Sequence, residues 1–140
     1  MSRKGQVMSG NWFYSLLGGF AVFSYVSSTQ ASDMFTEKEV ALYQEHCAVC
    51  HDDVSDEPLG PSHSNVFGSL AGSDKNFPYS EAILKSGLIW DRETLLVFLK
   101  DPQALLPGNS MGFMGIDSVE ERELIVSYLM KLKQKNNGLK

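Results

Sequence analysis

The chain has 140 residues, a length that fits one modest domain and excludes a large multidomain enzyme. Its 12 Lys and Arg against 17 Asp and Glu give a formal net charge of −5, which argues against a main affinity for nucleic-acid phosphates or anionic lipid. The two cysteines are too few for a disulfide framework, and 43% hydrophobic residues are typical of a folded chain.

Residues 1–31 have the layout of a secretory signal. Arg3 and Lys4 form a basic head, an apolar run spans residues 12–26, and small residues follow up to Ala31. We expect cleavage after Ala31. The alternative is a retained membrane anchor, although the run is shorter than the roughly 20 apolar residues that a spanning helix prefers. On either interpretation the body, residues 32–140, is exported.

The body is more acidic than the whole chain. Residues 1–31 carry two basic and no acidic side chains, so the remaining 109 residues hold 10 basic and 17 acidic ones, a net charge of −7. A domain of this size buries a smaller share of its surface than a large one, and a bound cofactor would add to its stability.

The first predicted helix begins after Thr36. Thr36 and Glu39 form a capping box, and Phe35 is in position to pack on Val40. The helix is expected to run to about His46.

Both cysteines follow, in the segment Cys47-Ala48-Val49-Cys50-His51. This spacing lets each thiol add to one vinyl group of a haem, with the histidine as an axial ligand of the iron. A thioredoxin-like redox pair is the alternative, but it would sit in a βαβ pattern, and no convincing strand is predicted here. Zinc is poorly served because no second pair of ligands appears at finger spacing. The motif predicts one covalent haem c, held by Cys47 and Cys50 and ligated by His51.

A segment rich in Gly, Pro, Ser and Asp follows, from residue 52 to residue 79. It is too long for a structureless loop in a compact domain unless it wraps around something inside the fold. Beyond it, a short helix spans residues 80–86 and stops at Gly87. A third helix is capped by Asp91 and ends at Asp101-Pro102. These features predict a buried cofactor.

A second long loop, residues 102–117, contains Met111. A thioether paired with His51 would fill the coordination sphere of the iron and raise its reduction potential, which suits electron transfer. Four other side chains compete for the sixth position: Met114, Met130, His46 and His63. Of these, Met130 is most simply packing, His46 is expected to point outward and His63 to be a loop residue.

The last helix has the strongest signal. Ser118 and Glu121 form a second capping box, and the helix closes at residues 136–138. One apolar face recurs at three- and four-residue intervals, formed by Leu124, Ile125, Tyr128, Leu129 and Leu132. The predicted fold class is all-α.

In order and spacing, these motifs resemble those of the class I cytochromes c, the single-haem mitochondrial and bacterial type with histidine and methionine ligands. The resemblance covers nearly all of residues 34–135. In chain order the motifs are Cys47–His51, Leu59-Gly60-Pro61, Val66-Phe67-Gly68, Phe77–Ala82, Gly87–Trp90, Asp101-Pro102, Pro107–Phe113, Gly115-Ile116 and Glu121-Arg122. The resemblance implies a fold of four to five short helices with long loops wrapped around one covalently attached haem. It also implies that the protein transfers electrons and has no catalytic residue.

The resemblance also implies a site. His51 and Met111 would ligate the iron, and the carbonyl of Pro61 would accept the other ring N–H of His51. Tyr79 and Trp90 would hydrogen-bond the haem propionates, since an unpaired buried carboxylate is costly. Two further aromatic features match: Phe113 resembles the ring that lies over the haem near its exposed edge, and Tyr43 with Leu124 and Tyr128 resembles the crossing of the terminal helices.

Four positions depart from the family pattern. Ser69 stands where an arginine is common, Phe98 where a tyrosine hydroxyl often lies near the methionine sulfur, and Asn109 where a threonine is common. At the helix crossing, where the family often has glycine, this chain offers Ala41 or Glu39.

The surface departs further. Mitochondrial relatives surround the haem edge with lysines, and the matching positions here hold His46, Gln103, Ser110 and Asp117. Four acidic residues follow the attachment motif: Asp52, Asp53, Asp56 and Glu57. We therefore expect redox partner proteins with a basic or largely apolar docking face, no nucleic-acid partner, and a monomer.

These expectations combine into an electron carrier of the bacterial periplasm, soluble or anchored to the inner membrane by residues 1–31. It would shuttle electrons between respiratory or photosynthetic complexes by Fe(II)/Fe(III) cycling. The first alternative is a membrane-tethered haem subunit of an oxidase or reductase complex. The second is a haem enzyme or gas sensor with a labile sixth ligand.

Overall fold

The computed structural model describes residues 34–51 and 59–138. The expected signal peptide or anchor lies outside these residues, as do the acidic side chains between residues 52 and 58. Among the described residues, all regular elements are helices apart from one isolated β-bridge between Leu70 and Ile89. The predicted all-α fold class is confirmed.

The first helix, α1, spans Glu37–Tyr43. The Thr36 hydroxyl accepts a hydrogen bond from the Glu39 N–H at 3.2 Å, and the Glu39 carboxylate accepts one from the Thr36 N–H at 2.7 Å, so the capping box is confirmed. The expected end near His46 is wrong. The helix continues as a π-helical turn, Gln44–Ala48, and as α2, Val49–His51, because no Pro or Gly interrupts these residues.

The two middle helices end or begin at the residues predicted for them. In α3, Glu81–Ser86, Gly87 ends the helix as expected, whereas Ser80, predicted as its first residue, caps the first turn with its side chain. In α4, Arg92–Lys100, the Asp91 carboxylate accepts a hydrogen bond from the Thr94 N–H at 2.8 Å.

A short helix that the sequence reasoning missed, α5, spans Pro102–Leu105. Asp101 and Pro102 end α4, as expected, but they also begin the next helix. The Asp101 carboxylate accepts from the Ala104 N–H at 2.9 Å, and proline suits the first helical position because its missing N–H would have no partner there.

The last helix, α6, spans Val119–Gly138 and packs against α1 and α4. Ile125 and Leu129 are almost completely buried in the core. At the crossing with α1, the rings of Tyr43 and Tyr128 stack with centroids 4.3 Å apart. Phe35, which was expected to pack on Val40, has its ring 4.7 Å from Tyr128. Aromatic stacking therefore joins the two ends of the described chain.

The end of α6 also holds the first long loop. Lys133 Nζ donates to the Phe67 carbonyl at 2.7 Å, and Asn136 Nδ2 donates to the Ser64 carbonyl at 2.8 Å. Each bond satisfies a carbonyl group of the loop. The loop after residue 59 is thus fixed on the body of the protein.

The second long loop passes close to the end of α4. Gly115 has φ +93°, and a Cβ at this position would lie 2.1 Å from the Lys100 carbonyl oxygen, so no other residue fits without movement. The Ile116 N–H then donates to the Leu99 carbonyl at 2.9 Å. These contacts set the path of the loop that carries Met111.

Candidate cofactor site

A cavity of about 690 Å³ lies among the helices and both long loops. Helix α4 contributes Leu95, Phe98 and Leu99 to its wall, and α6 contributes Ile125 and Leu129. Its lining includes every site residue expected from the sequence: Cys47, Cys50, His51, Pro61, Tyr79, Trp90, Met111 and Phe113. The fold therefore brings together residues that are up to 66 positions apart in the chain.

The two cysteines reach this cavity from the helix that continues α1. Cys47, in the π-helical turn, is buried, whereas Cys50, in α2, is exposed, and both are free thiols. Burial, with a smaller contribution from Cys50, raises the pKa of Cys47 to about 12. A thiol with the character of Cys47 is poor at dithiol exchange, and both thiols lie on a continuous helix, so the arrangement does not match a thioredoxin-like pair.

The His51 ring is held in place by a hydrogen bond to the backbone of the first long loop. Its Nδ1 lies 2.8 Å from the carbonyl oxygen of Pro61. Since a carbonyl can only accept, Nδ1 carries the proton and Nε2 of the neutral ring keeps its lone pair. Burial lowers the pKa of His51, and the bond to Pro61 partly opposes this. The side chain is thus a neutral imidazole with a nitrogen suited to bind a metal ion.

Gly60 permits this geometry. Its N–H donates to the Cys50 carbonyl at 2.7 Å, which brings the loop against the end of α2. A Cβ on residue 60 would lie 2.5 Å from Cε1 of His51, closer than real Cβ atoms come to other atoms. Only glycine lets the backbone before Pro61 approach the imidazole this closely.

Of the three candidate methionines, Met111 lines the cavity. Its side chain is half-buried, while that of Met114 is 94% exposed and Met130 lies on α6 away from the cavity lining. His46, expected to point outward, is half-buried in the cavity lining, with its ring 6.4 Å from that of Phe113.

His63 was expected to be only a loop residue, and the sequence reasoning missed its position in the site. Its ring stacks on that of His51, with centroids 3.8 Å apart and an angle of 17° between the planes. Its Nδ1 lies 3.2 Å from the hydroxyl of Tyr43. Burial, together with the nearby His51, lowers the pKa of His63 to about 3, so it is neutral. The available signal was its place two residues after Pro61, in the loop that contacts His51.

Tyr79 and Trp90 lie on another part of the wall. Trp90 is 8% exposed, and its ring lies 4.8 Å from that of Phe98. Its backbone is fixed by hydrogen bonds with Ser69 and Gly68 at 2.9 and 2.8 Å. Tyr79 is half-buried, and burial raises the pKa of its hydroxyl. It therefore stays protonated and can donate a hydrogen bond at neutral pH.

The donor set fits a haem attached through thioethers. Two thiols lie on one helical segment, next to a neutral imidazole, and a thioether is carried on the opposite loop. The rest of the wall is formed largely by aliphatic and aromatic side chains, which suits a flat apolar macrocycle.

Known proteins with similar sequences support the same interpretation. The chain is 38% identical to cytochrome c2 iso-2 of Magnetospirillum molischianum over 88 residues, which are 62% of this chain and 91% of that protein. It is 34% identical to cytochrome c2 of Rhodomicrobium vannielii over 117 residues, 82% of this chain and 90% of that protein. No protein-family model matches the chain.

A solved structure shares the fold. Cytochrome cH from Methylobacterium extorquens superposes with a TM-score of 0.63 and 31% sequence identity, over 69% of this chain and 97% of that one. The matched segments cover at least 90% of each of these three relatives, so the likeness concerns their whole domain rather than a short motif. The chain therefore belongs to the class I cytochrome c family, and it is a haem-binding electron carrier rather than an enzyme.

Proposed function

We propose that the protein is an exported single-haem cytochrome that shuttles electrons between membrane-bound respiratory or photosynthetic complexes. Haem c would be attached through Cys47 and Cys50, with His51 and Met111 as axial ligands. The observation that carries this proposal is the hydrogen bond between His51 Nδ1 and the Pro61 carbonyl, in a cavity that Met111 also lines. When bound, haem c supplies a one-electron Fe(II)/Fe(III) couple.

The residues around the cavity would favour a single geometry in both oxidation states. Pro61 fixes the tautomer and the ring direction of His51, and His63 packs against one face of the same ring. A ligand held in this way moves little when the charge of the metal changes, and its basicity is raised by the bond to Pro61. The protein would therefore exchange electrons with little rearrangement of its own groups.

Tyr79 and Trp90 would act on the acidic side chains of the cofactor. A protonated phenol and an indole N–H are both donors, and buried carboxylates need such partners. Ser69, where the family often has arginine, offers no positive charge, and its hydroxyl already donates to the Val66 carbonyl at 2.7 Å. We propose that Tyr79 and Trp90 carry most of this hydrogen bonding.

The partner would approach the cavity mouth through three exposed apolar side chains, which we call the mouth patch: Val49, Leu59 and Met114. Their side chains are 82%, 76% and 94% exposed. Val49 lies between the two cysteines, Leu59 precedes the residue bonded to the Cys50 carbonyl, and Met114 follows Phe113, whose ring faces His46. Segments 45–51, 59–65 and 110–114 contain no lysine or arginine.

This surface does not suit an acidic partner that recognises a ring of lysines. With a body charge of −7, long-range attraction would be toward a basic face, and the mouth patch would contribute apolar contact once the proteins meet. We therefore propose a partner whose docking face is basic or largely apolar.

We propose that residues 1–31 direct export to the bacterial periplasm and are cleaved after Ala31. Among the described residues, no helix is long and apolar enough to cross a membrane. Cell fractionation tests the proposal. Haem protein in the periplasmic fraction with its N-terminus at residue 32 is expected, whereas full-length haem protein in the membrane fraction would favour the tethered subunit.

A visible and near-infrared absorption spectrum of the purified haem protein tests the ligand proposal. A weak iron–thioether charge-transfer band is expected in the oxidised form, and it should be lost in Met111→Ala but kept in Met114→Ala. Carbon monoxide added to the reduced wild-type protein should bind slowly and incompletely at neutral pH. Rapid saturation would contradict the closed His/Met site and favour a haem enzyme or gas sensor.

A further inference from the structure

We infer that Asn109 is a positioning residue that keeps the Met111 loop closed over the cavity and so limits replacement of the sixth ligand. The inference rests on the proposed function, because it takes Met111 as that ligand. Asn109 stands where a threonine is common in the family, and it is 6% exposed.

The Asn109 side chain uses both ends of its amide. Nδ2 donates to the carbonyl of Pro102 at 2.9 Å and to that of Leu106 at 2.8 Å. Oδ1 accepts from the backbone N–H of Met111 at 2.9 Å. One buried side chain therefore connects the beginning of α5, its end, and the backbone of Met111.

A second side chain holds the same loop from outside. Gln103 Nε2 donates to the Asn109 carbonyl at 3.0 Å, and Gln103 Oε1 accepts from the Gly108 N–H at 3.3 Å. Gln103 is exposed, so water can replace these bonds when they break. The Asn109 bond to Pro102 is buried and its other two bonds are half-buried, so breaking them leaves polar groups without partners.

Asn109 is important in this protein for holding the backbone of Met111. Phe98 provides no hydroxyl that could hydrogen-bond the methionine sulfur, and the Met111 N–H is held by its bond to Asn109 Oδ1. Movement of the loop at residue 111 stretches this bond. Loss of one such half-buried bond corresponds to roughly a tenfold change in the opening equilibrium.

Imidazole binding to the oxidised haem protein measures this opening, because imidazole competes with the methionine for the iron. We expect Asn109→Ala to bind imidazole at least tenfold more tightly than the wild type. Gln103→Ala, the matched control, should stay within twofold. Asn109→Thr should stay within threefold, because a hydroxyl two residues before Met111 can accept from its N–H.

A structural role alone would give a different pattern. If the imidazole affinities of the variants simply follow their midpoints of chemical unfolding, or if Gln103→Ala equals Asn109→Ala, the inference is overturned. An effect of Asn109→Ala below twofold also overturns it. Should Asn109→Ala fail to retain haem, Asn109→Val is compared with Asn109→Thr, because the valine and threonine side chains have the same shape. The valine variant should then bind imidazole at least fivefold more tightly than the threonine variant.

The wild-type measurement separates this inference from the proposed function. A wild-type protein that binds imidazole and carbon monoxide as readily as an open site would overturn the proposed Met111 ligand, and with it the role of Asn109. A closed wild-type site with an unchanged Asn109→Ala variant would overturn only the role of Asn109.

Discussion

The carboxylate of Glu39 on α1 accepts two hydrogen bonds from the Lys131 ammonium on α6, at 2.7 and 2.8 Å. The Ser127 hydroxyl and the Thr36 N–H donate to the same carboxylate at 2.6 and 2.7 Å. Glu39 is 2% exposed, so a charged group lies between the terminal helices near the position where the family often has glycine. The helix crossing here depends on a satisfied ion pair as well as on the Tyr43–Tyr128 stack.

Replacing Glu39 by Gln should destabilise the haem protein. The amide keeps one acceptor oxygen but leaves the half-buried Lys131 without its counter-charge, so we expect a loss of about 1–3 kcal/mol in the free energy of unfolding. Unfolding in guanidinium chloride measures it. Lys38→Gln is the control, because Lys38 and Glu120 form an exposed ion pair at 2.6 Å. Its effect should be much smaller than that of Glu39→Gln, because water screens an exposed pair, and equal losses would contradict the role given to Glu39.

The same carboxylate predicts a pH dependence. Burial alone would raise the pKa of Glu39, but hydrogen bonds from Lys131, Ser127 and Thr36 outweigh burial and lower the pKa to about 2, from 4.5 in the unfolded chain. A lowered pKa adds stability that is present above pH 4.5 and is lost as the pH falls toward 2. The difference in unfolding free energy between wild type and Glu39→Gln should therefore shrink on acidification. A constant difference over this range would argue against the assignment.

Gly60→Ala should disturb His51. The new Cβ would lie 2.5 Å from Cε1 of the ring, so either the loop or the imidazole must move. We expect a weaker bond between His51 and Pro61, seen as a changed absorption spectrum and a higher reduction potential, because a less basic imidazole stabilises Fe(III) less, with a loss of about 1–3 kcal/mol in stability. Gly138→Ala is the control, because Gly138 lies at the end of α6, outside the cavity lining, and a Cβ there meets no atom within 4 Å. An unchanged spectrum in Gly60→Ala would mean that the ring is not held as described.

A charge placed in the mouth patch should change partner choice. Met114→Lys adds a positive charge beside Phe113, so its electron-transfer rate with a basic redox partner at low salt should fall by about threefold or more, and the difference should fade as salt is added. Val119→Lys is the control, because Val119 is 60% exposed at the start of α6 and is not part of the mouth patch. Equal effects in both variants would indicate that net charge, rather than the mouth patch, governs the encounter.

Several features could be predicted because they depend on local chemistry. The caps at Thr36 and Asp91 depend on hydrogen bonds between residues three positions apart, so the beginnings of α1 and α4 follow from the sequence. The segment from Cys47 to His51 indicates haem through spacing alone.

The remaining features depend on contacts across the fold. Nothing local indicates that the helix from Glu37 continues through a π-helical turn, which places Cys47 inward and Cys50 outward. The stacking of His63 on His51 depends on the path of the loop around Gly60, and the bonds of Asn109 depend on α5 beginning at Pro102. Sequence patterns identify which residues are able to act, while these pairings are set by tertiary structure.

The position of α6 at the end of the chain has a consequence for the order of assembly. Ile125 and Leu129 form part of the cavity wall, and Lys133 and Asn136 hold the loop that precedes Trp90. A chain that emerges from its N-terminus exposes the thiols of Cys47 and Cys50 at least 75 residues before this wall can form. Both thiols are therefore accessible on an open chain, and docking of α6 would enclose a cofactor attached before it.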